Sequence, residues 1–342
     1  MRRFKQDLCA AALAVCFLGA AVAVPARASI AVLVEEPYGG IGMNPAGHSA
    51  IYFDHVCAAS PTVLRPCDEG ELGAVISRYD GIDHYDWLAM PLVAYLYAVD
   101  NADAVPETMD KAAEEKLRDA YRRKYLEEIA PDREDGGAPG GNWYQLVGSA
   151  YDRTLYGFQV KTTAEQDAGL IAMFNDRRNV ERYNGAFTNC ADFARVTINR
   201  FYPHAIRRNF IADFGITTPK QVGHALTRYG KKHPETGLAV FTVPQVAGSL
   251  PRSRKVKGVS ESLVTTKRYM FPITVVQPVA TAVMLVAYVG KGRFSMPKDA
   301  PVLSLKPVVE GDAVLPAEDS APAVGSGRTV LTADPPVIAR QP

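Results

Sequence analysis

The first part of the chain has the apolar patterns of β-strands. Residues 30–34 (IAVLV) form a short, continuous apolar run, which predicts a buried strand. The segment GHSAIYF alternates, so that His48, Ala50 and Tyr52 share one face of a strand and the intervening residues share the other. Residues 73–79 (GAVISRY) predict a further strand. The pattern therefore places a small sheet early in the sequence.

Helical spacing dominates the later segments. Residues 189–202 repeat apolar side chains at i, i+3 and i+4, which predicts an amphipathic helix with Thr188 or Asn189 as its N-cap. The apolar stretch 87–99 is interrupted by Pro91, and its pattern leaves strand and helix both open. Further helices are predicted at 108–128, from Thr163 onward, where Gln166 completes a capping box, and at 219–232.

The composition is that of a globular protein. The chain has 342 residues, of which 47% are hydrophobic and 22% charged, and this excludes a disordered or collagen-like chain. Such a length allows one large domain or two small ones. Lys and Arg total 38 against 37 Asp and Glu, so no positive excess favours nucleic acid as a partner.

The N-terminus has the features of a secretory signal peptide. A basic start (MRRFK) precedes an apolar run and a small-x-small tripeptide that ends at Ala28. We therefore predict a signal peptide at 1–28 and Ser29 as the first residue of an exported chain; the alternative is an uncleaved anchor helix. Cleavage removes four basic residues and one acid, which leaves 34 basic and 36 acidic residues.

Export determines how the remaining cysteines are interpreted. Cys57 and Cys67 lie ten residues apart across a proline-containing loop, and an oxidising compartment makes them the natural disulfide pair. Cys190 is then the odd thiol of an exported protein, which needs an explanation. With that pair oxidised, and with no metal-ligand spacing among the histidines, we predict no metal site and no cofactor.

The C-terminal part changes in character after the predicted globular domain, 29–250. Residues 251–268 form a basic linker, and 269–290 contain no charge and are long enough to span a bilayer. We predict a membrane anchor at 269–290, although its prolines and its basic N-terminal flank favour buried strands or an interfacial segment instead. The remainder, 291–342, has eight prolines and little periodicity, which predicts a disordered tail.

Two residues carry the candidate chemistry. Cys190 falls in the first turn of a predicted helix, where backbone N–H groups and the helix dipole favour a thiolate and can hold an oxyanion. His48 lies on a predicted strand and is a base that titrates in the right range to take the thiol proton. The alternatives are a buried structural cysteine and a structural histidine, but each residue explains the other.

The pair of motifs GHSAIYF and NCADF resembles the circularly permuted papain-like (NlpC-like) thiol hydrolases, including the lecithin retinol acyltransferase branch. In the permuted branch a histidine strand comes first and an NC-x-x-F helix follows, which is the order found here. The resemblance covers two short motifs that span about 150 residues. It implies Cys190 as the nucleophile and His48 as the base.

This resemblance also implies a third polar residue on the strand that follows the histidine strand. That strand is GAVISRY, which offers Ser77, with Glu69 or Glu71 just before it; none is a histidine, asparagine or glutamine of the usual type. Tyr38, beside the glycine-rich rim, and Asn189 are predicted oxyanion or substrate contacts. His55, Asp54 and Asp192 are predicted surface or capping residues.

These patterns predict an α+β fold in which a small antiparallel sheet packs on the cysteine-bearing helix, with a helical insertion around 100–180. The predicted protein is a cysteine hydrolase or acyltransferase of the periplasm or cell envelope that forms an acyl-enzyme from an amide or ester. Its substrate is a cell-wall peptide or a membrane lipid, with membrane association and no nucleic-acid partner. The alternative is an inactive envelope binding protein on the same scaffold.

Overall fold

The computed structural model describes residues 28–39 and 46–305. The signal peptide predicted at 1–28 thus lies outside the described residues except for Ala28. Their strands are β1 (Ser29–Glu35), β2 (His48–Phe53), β3 (Val56–Ser60), β4 (Val63–Pro66), β5 (Ala74–Ser77), β6 (Leu88–Pro91), β7 (Thr108–Met109), β8 (Leu155–Lys161), β9 (Ala239–Val243) and β10 (Ala247–Gly248). Their helices are α1 (Leu92–Tyr97), α2 (Lys111–Tyr125), α3 (Ser149–Asp152), α4 (Ala164–Asp176), α5 (Cys190–Phe201), α6 (Pro219–Lys232), α7 (Val259–Thr265), α8 (Lys267–Val276) and α9 (Pro278–Ala287).

A six-stranded antiparallel sheet forms the centre of the fold, with the order β6-β5-β2-β1-β8-β9. The register pairs Glu35 of β1 with His48 of β2, and Ala50 of β2 with Ser77 of β5. Directly opposed residues project from the same face, so His48 has Glu35 on one side and the β5 strand on the other. The predicted α+β class is confirmed.

Helices cover both faces of this sheet. The face that carries Val32, Ile51 and Phe158 packs against α4, α5 and α6. The opposite face, with Leu33 and Ala50, packs against α1, α2 and α3. Alternation along β2 therefore separates His48, which shares a face with Ala50, from the face on which the cysteine helix α5 packs.

The apolar stretch 87–99 contains both structures that its pattern left open. Residues Leu88–Pro91 complete the edge strand β6, and α1 begins at the next residue, Leu92. Pro91 allows this change because proline lacks an N–H and sits well just before a helix, while an edge strand tolerates the missing donor. Leu88 and Met90 of the strand are buried on the same side of the sheet as α1, and Ala89 is buried on the other side.

The region predicted as a helical insertion, 100–180, is only partly helical. It contains α2, α3 and α4, but also β8, which pairs with β1 along its whole length from Ser29–Lys161 to Glu35–Leu155. This strand is integral to the sheet, so the prediction of an insertion is wrong at this point. The aromatic side chains of Tyr156 and Phe158 on β8 pack on the α5 face of the sheet.

Cys57 and Cys67 are joined by a disulfide, as predicted. The bridge closes the hairpin of β3 and β4, which the sequence pattern did not predict. The hairpin is bonded to α4 through Asn175. The Asn175 side chain accepts from the Leu64 amide at 2.9 Å and donates to the Leu64 carbonyl at 2.9 Å.

Replacing both bridged cysteines with serine should lower the free energy of unfolding by about 2–3 kcal/mol, because a loop of about ten residues is then free in the unfolded chain. Urea denaturation of the oxidised protein and of the Cys57→Ser/Cys67→Ser variant measures this. Wild type treated with a reductant is the control and should match the variant. A difference below about 0.5 kcal/mol would contradict the prediction.

The uncharged segment 269–290 folds as two short helices rather than one long one. The helix α8 ends at Val276, and Pro278 begins α9. The break falls at Gln277, and Pro278 occupies the first turn of α9, where a backbone N–H has no partner within the helix. The other proline of the segment, Pro272, lies inside α8. Within residues 28–39 and 46–305, no helix has both the length and the apolar character needed to cross a bilayer, unlike the spanning segment predicted at 269–290.

The first part of the predicted disordered tail has a defined path. Thr242 of β9 donates its amide to the Pro301 carbonyl at 2.8 Å, and the Leu303 amide donates back to Thr242 at 2.9 Å. Phe294 and Met296 pack against the core on the α5 face. Backbone pairing at the open edge of β9 orders this segment despite its proline content. Residues 306–342 of the predicted tail lie outside the described residues.

Candidate active site

Cys190 is the first residue of α5, and its position follows from the residue before it. The side-chain oxygen of Asn189 accepts from the Asp192 amide at 2.9 Å, which caps the helix. Asp192 in turn binds Arg208 at 2.9 Å and the Thr217 hydroxyl at 2.8 Å. These bonds tie the start of the helix to the loop before α6 and fix where the thiol lies.

The thiol of Cys190 is buried and neutral. Burial raises its pKa to about 11, with Glu35 adding to the rise, although the backbone N–H groups of Ser49, Ala191 and Cys190 itself lower it. The expectation that the helix N-terminus favours the thiolate is therefore outweighed, because desolvation penalises the charged form more than three amides stabilise it. The Ser49 amide matters for placement, since it brings the thiol beside the residue that follows His48.

The side chain of His48 is held by residues of β5 and of the segment directly after it. Its Nε2 lies 2.6 Å from the Ser77 hydroxyl, and its ring stacks on Tyr79 with 4.3 Å between ring centroids and 5° between the planes. Burial and the nearby Arg153 guanidinium lower the pKa of His48 well below its usual value, so the imidazole is neutral at pH 7. A neutral imidazole is the form that can accept a proton.

Arg78, between Ser77 and Tyr79, connects this strand end to the cysteine helix. It is buried, its Nη2 donates to Asp86 at 2.6 Å, and its Nη1 donates to the Thr188 carbonyl at 3.2 Å. Three consecutive residues thus contact the histidine or the segment that leads into Cys190. The sequence analysis missed Arg78; its signal was a charged residue at the end of an apolar strand pattern.

A buried ion pair lies beside the histidine. Arg153 Nη1 is 3.0 Å from Glu35 Oε2, and both side chains are almost fully buried. Tyr95 donates to the Glu35 carboxylate, and the Tyr79 and Tyr95 hydroxyls are 3.2 Å apart. The pair is thereby linked to the aromatic ring that stacks on His48. The sequence analysis also missed these residues, although Glu35 stood out as an acid that directly follows an apolar strand.

A small cavity of about 200 Å³ opens beside His48. Tyr38 lines it and stacks under Arg153, with the guanidinium carbon 4.3 Å from the ring centroid. Burial raises the pKa of Tyr38 above its usual value, so its hydroxyl is a neutral donor. The lining also includes Tyr183 but not Cys190. Burial raises the pKa of Tyr183, and Tyr183 lies close enough to Cys190 for a thiolate there to raise it further. Tyr183 therefore lies beside both the cavity and the thiol.

Several predicted candidates lie outside this arrangement. The Asn189 side-chain amide donates to the Gly185 carbonyl at 3.0 Å and the Thr217 carbonyl at 3.1 Å, so these bonds occupy the group predicted to contact substrate. Glu71 binds Arg65 at 2.6 Å on the surface. The other predicted residues have local partners: Asp54 binds Ser29, His55 binds Asp54, and Asp192 binds the groups described above.

The donor set offers little for a metal. In the described part of the chain, one group of three ligand side chains comes together: Cys57, Cys67 and Glu71. Its two sulfur atoms are bonded to each other. A disulfide supplies no thiolate, and the thiolate is the form of cysteine that binds metals.

The comparisons with known proteins add little to this geometry. No family model matches the chain, and no curated protein matches it. A search of solved structures matches the crystal structure of the type VI secretion system effector TseH, with 10% identical residues and a TM-score of 0.29. The match covers 64% of this chain and 94% of that chain. A likeness this loose carries no argument about the chemistry, so the interpretation of the site depends on its own contacts.

Proposed function

We propose that this protein is an exported cysteine hydrolase or acyltransferase that acts on amide or ester bonds, with Cys190 as nucleophile and His48 as base. One observation carries the proposal. The Cys190 thiol lies at a helix N-terminus beside the amide of Ser49, and the neighbouring residue is a neutral histidine whose Nε2 is held by Ser77. A thiol, a base and a group that orients the base are the parts that nucleophilic catalysis needs.

In the proposed reaction, His48 acts as a base during the attack rather than through a preformed ion pair. Because Nε2 faces Ser77, Nδ1 is the ring nitrogen that takes the thiol proton as the sulfur bonds to the carbonyl carbon. The transfer takes place at the start of β2, where His48 lies on one face of the sheet and its neighbour Ser49 donates its amide to the Cys190 sulfur. The N–H groups of Cys190 and Ala191 hold the oxyanion. The imidazolium then protonates the leaving amine or alcohol, and a thioester remains on Cys190.

The second half of the reaction regenerates the thiol. His48 takes a proton from water, the resulting hydroxide adds to the thioester, and the carboxylic acid leaves as Cys190 regains its proton from the imidazolium. If an alcohol or amine of another molecule replaces water, the same steps transfer the acyl group to it. The neutral forms of Cys190 and His48 suit this series of steps. Before the reaction, neither a thiolate nor an imidazolium has to be maintained in a buried, poorly solvated site.

The order of the motifs supports a permuted papain-like arrangement. The histidine strand β2 is central in the sheet, and the cysteine helix that packs on the sheet comes about 140 residues later in the chain. The substrate we propose is a cell-wall peptide or a lipid acyl group, taken by its acyl end, because the cavity beside His48 is smaller than a typical ligand pocket.

Export is part of the proposal. The strand β1 begins at Ser29, directly after the predicted cleavage site, and the Ser29 nitrogen lies 2.8 Å from the Asp54 carboxylate. In a chain cleaved after Ala28 this nitrogen is an ammonium group, and the carboxylate stabilises it. The disulfide between Cys57 and Cys67 also fits an oxidising compartment.

The test is acylation of Cys190 by p-nitrophenyl acetate, with release of nitrophenolate followed in time. We expect one nitrophenolate per protein in a fast phase and an acetyl group on the Cys190 peptide by mass spectrometry. The rate should be nearly constant between pH 7 and 9, because His48 is already neutral there. Cys190→Ala is the control, and it should remove the fast phase while leaving the circular dichroism spectrum unchanged.

A different outcome would favour the binding-protein alternative, which the raised pKa of Cys190 supports. If acetylation occurs only as the pH approaches 11, or only after unfolding, Cys190 is a packed structural thiol. The cavity beside His48 would then bind a ligand without turnover, and the hydrolase proposal would fail.

A further inference from the structure

The helices α8 and α9 expose an unusual amount of apolar surface for a globular protein. Together they form what is here called the apolar helix pair, residues 267–287. Phe271, Val279 and Val286 are each more than 70% exposed. Six more large apolar residues on the pair and directly after it are also exposed: Met270, Val275, Val276, Val283, Leu285 and Val289. A contiguous surface of this kind marks an interaction site.

The pair is built like an interfacial element. Each helix has ten residues, hence a length of about 15 Å, which is half of the hydrocarbon thickness of a bilayer. The Thr274 hydroxyl donates to the Met270 carbonyl at 2.7 Å and lies 3.2 Å from the Thr281 hydroxyl. The threonine hydroxyls of the pair are thus bonded within it, and most helical backbone groups are satisfied internally.

A basic cleft of about 710 Å³ lies next to the C-terminal end of the pair, since Lys291, shortly after α9, is part of its lining. Arg207, Arg228, Lys232 and Lys291 line it, and each of the four is solvent-exposed. Among the described residues, none of these four forms an ion pair, and no acidic side chain lines the cleft. A cleft with several cations and no acid favours an anionic ligand.

The apolar surface and the basic cleft are continuous. Lys291, which lines the cleft, comes shortly after α9, and its carbonyl accepts from the Asn209 amide at 3.3 Å. Phe210 and Ile211, 73% and 55% exposed, line the same cleft with apolar side chains. The charge lies beside the apolar surface, as it does where phosphate headgroups border acyl chains.

The helix α7, directly before the apolar helix pair, is fixed to the rest of the protein. Lys220 of α6, the helix that also carries Arg228 and Lys232, lies 2.5 Å from Glu261 of α7. The Ser260 amide donates to the Ala212 carbonyl at 2.9 Å. Glu261 also accepts from the hydroxyl of Tyr288, the residue directly after α9, at 3.3 Å, so α6, α7 and the end of the apolar helix pair are joined.

We infer that this surface docks on a bilayer that contains anionic phospholipid. The apolar helix pair inserts among the acyl chains at the level of the headgroups, and Arg207, Arg228, Lys232 and Lys291 bind the headgroup phosphates. Apolar insertion and electrostatic attraction act together in such binding, and neither needs a spanning helix. This inference is independent of the chemistry of Cys190.

The experiment uses the full chain and a tryptophan placed on the pair, Val283→Trp. The two native tryptophans, Trp87 and Trp143, are 1% and 9% exposed, so brominated lipid quenches the new one selectively. We expect a blue shift and quenching with vesicles of brominated phosphatidylcholine and phosphatidylglycerol. Val63→Trp, at an exposed position of β4, is the matched control and should not respond. The Val283→Trp and Val63→Trp variants have the same residues before Ser29, so that segment does not account for a difference between them.

Charge reversal tests the basic cleft. Arg228→Glu with Lys232→Glu, in the Val283→Trp chain, should weaken quenching by anionic vesicles at least about tenfold. Lys116→Glu with Arg182→Glu is the control pair at exposed positions outside the cleft. The inference is overturned if the fluorescence of Val283→Trp does not respond to any vesicle, or if purely neutral vesicles quench it equally. A blue shift that depends on protein concentration without lipid would assign the surface to a second copy of the chain.

Discussion

Replacing His48 with glutamine should lower the rate of Cys190 acetylation at pH 7 by about 10²–10⁴-fold, because the thiol loses its proton acceptor. The pH profile should change as well. In the wild type the rate is flat above the lowered pKa of His48 and falls only in acid. In the variant the thiolate alone reacts, and with its pKa near 11 the rate should rise about tenfold per pH unit from pH 7 to 10.

Two further variants distinguish the role of His48 as the base from the role of Ser77 as the residue that positions it. Ser77→Ala removes the partner of Nε2, and we expect a fall of about tenfold with the flat profile retained, as for a positioning residue. His55→Gln changes a histidine on the surface and should leave the rate unchanged. If the His48→Gln variant keeps the acetylation rate and the pH dependence of the wild type, His48 takes no part in the mechanism.

Replacing Arg153 with methionine should lower the free energy of unfolding by about 3–5 kcal/mol at pH 7, because the Glu35 carboxylate stays buried without its cation. Burial already raises the pKa of Glu35, and Arg153 lowers it in part. Without Arg153 the pKa rises further above that of the unfolded chain. The stability of the variant is then highest below the unfolded pKa and decreases as the pH rises through the folded one, so the loss should be smaller at pH 5 than at pH 8.

Urea denaturation of three variants measures this effect. Glu35→Gln with Arg153→Met removes both charges and should recover most of the lost stability. Arg133→Met breaks an exposed pair with Asp135 and should cost less than about 1 kcal/mol. A small loss in Arg153→Met that does not depend on pH would contradict the prediction, because a Glu35 with a raised pKa in the folded state must make the stability fall as the pH rises. The pKa of His48 should rise in Arg153→Met, since Arg153 lowers it.

Local patterns predicted the elements that position the candidate site. The alternation around His48 predicted β2, the run 30–34 predicted β1, and the capping residue before Cys190 predicted the start of α5. These predictions succeed because alternation, apolar runs and caps depend on side chains a few residues apart. Ser77 was a candidate because of its strand, and the structure places its hydroxyl 2.6 Å from His48.

Predictions that depended on distant partners fared less well. β8 is a central strand although its segment lay in the predicted helical insertion, because its pairing with β1 joins residues more than a hundred positions apart. Segment 297–305 was predicted to be disordered from its composition, yet the edge of β9 orders it. The uncharged run 269–290 has the length of a spanning helix, but a break at Gln277 divides it.

The sequence alone determined which residues could supply the chemistry: one unpaired cysteine at a helix start, one histidine on an alternating strand, and a cysteine pair close enough to bridge. Tertiary structure decided the protonation states. Burial keeps Cys190 protonated and His48 neutral, against the local effect of the helix terminus, because desolvation depends on every element packed around a group. It also brought Glu35 to Arg153 and Arg78 to the loop before Cys190, contacts that no local pattern encodes.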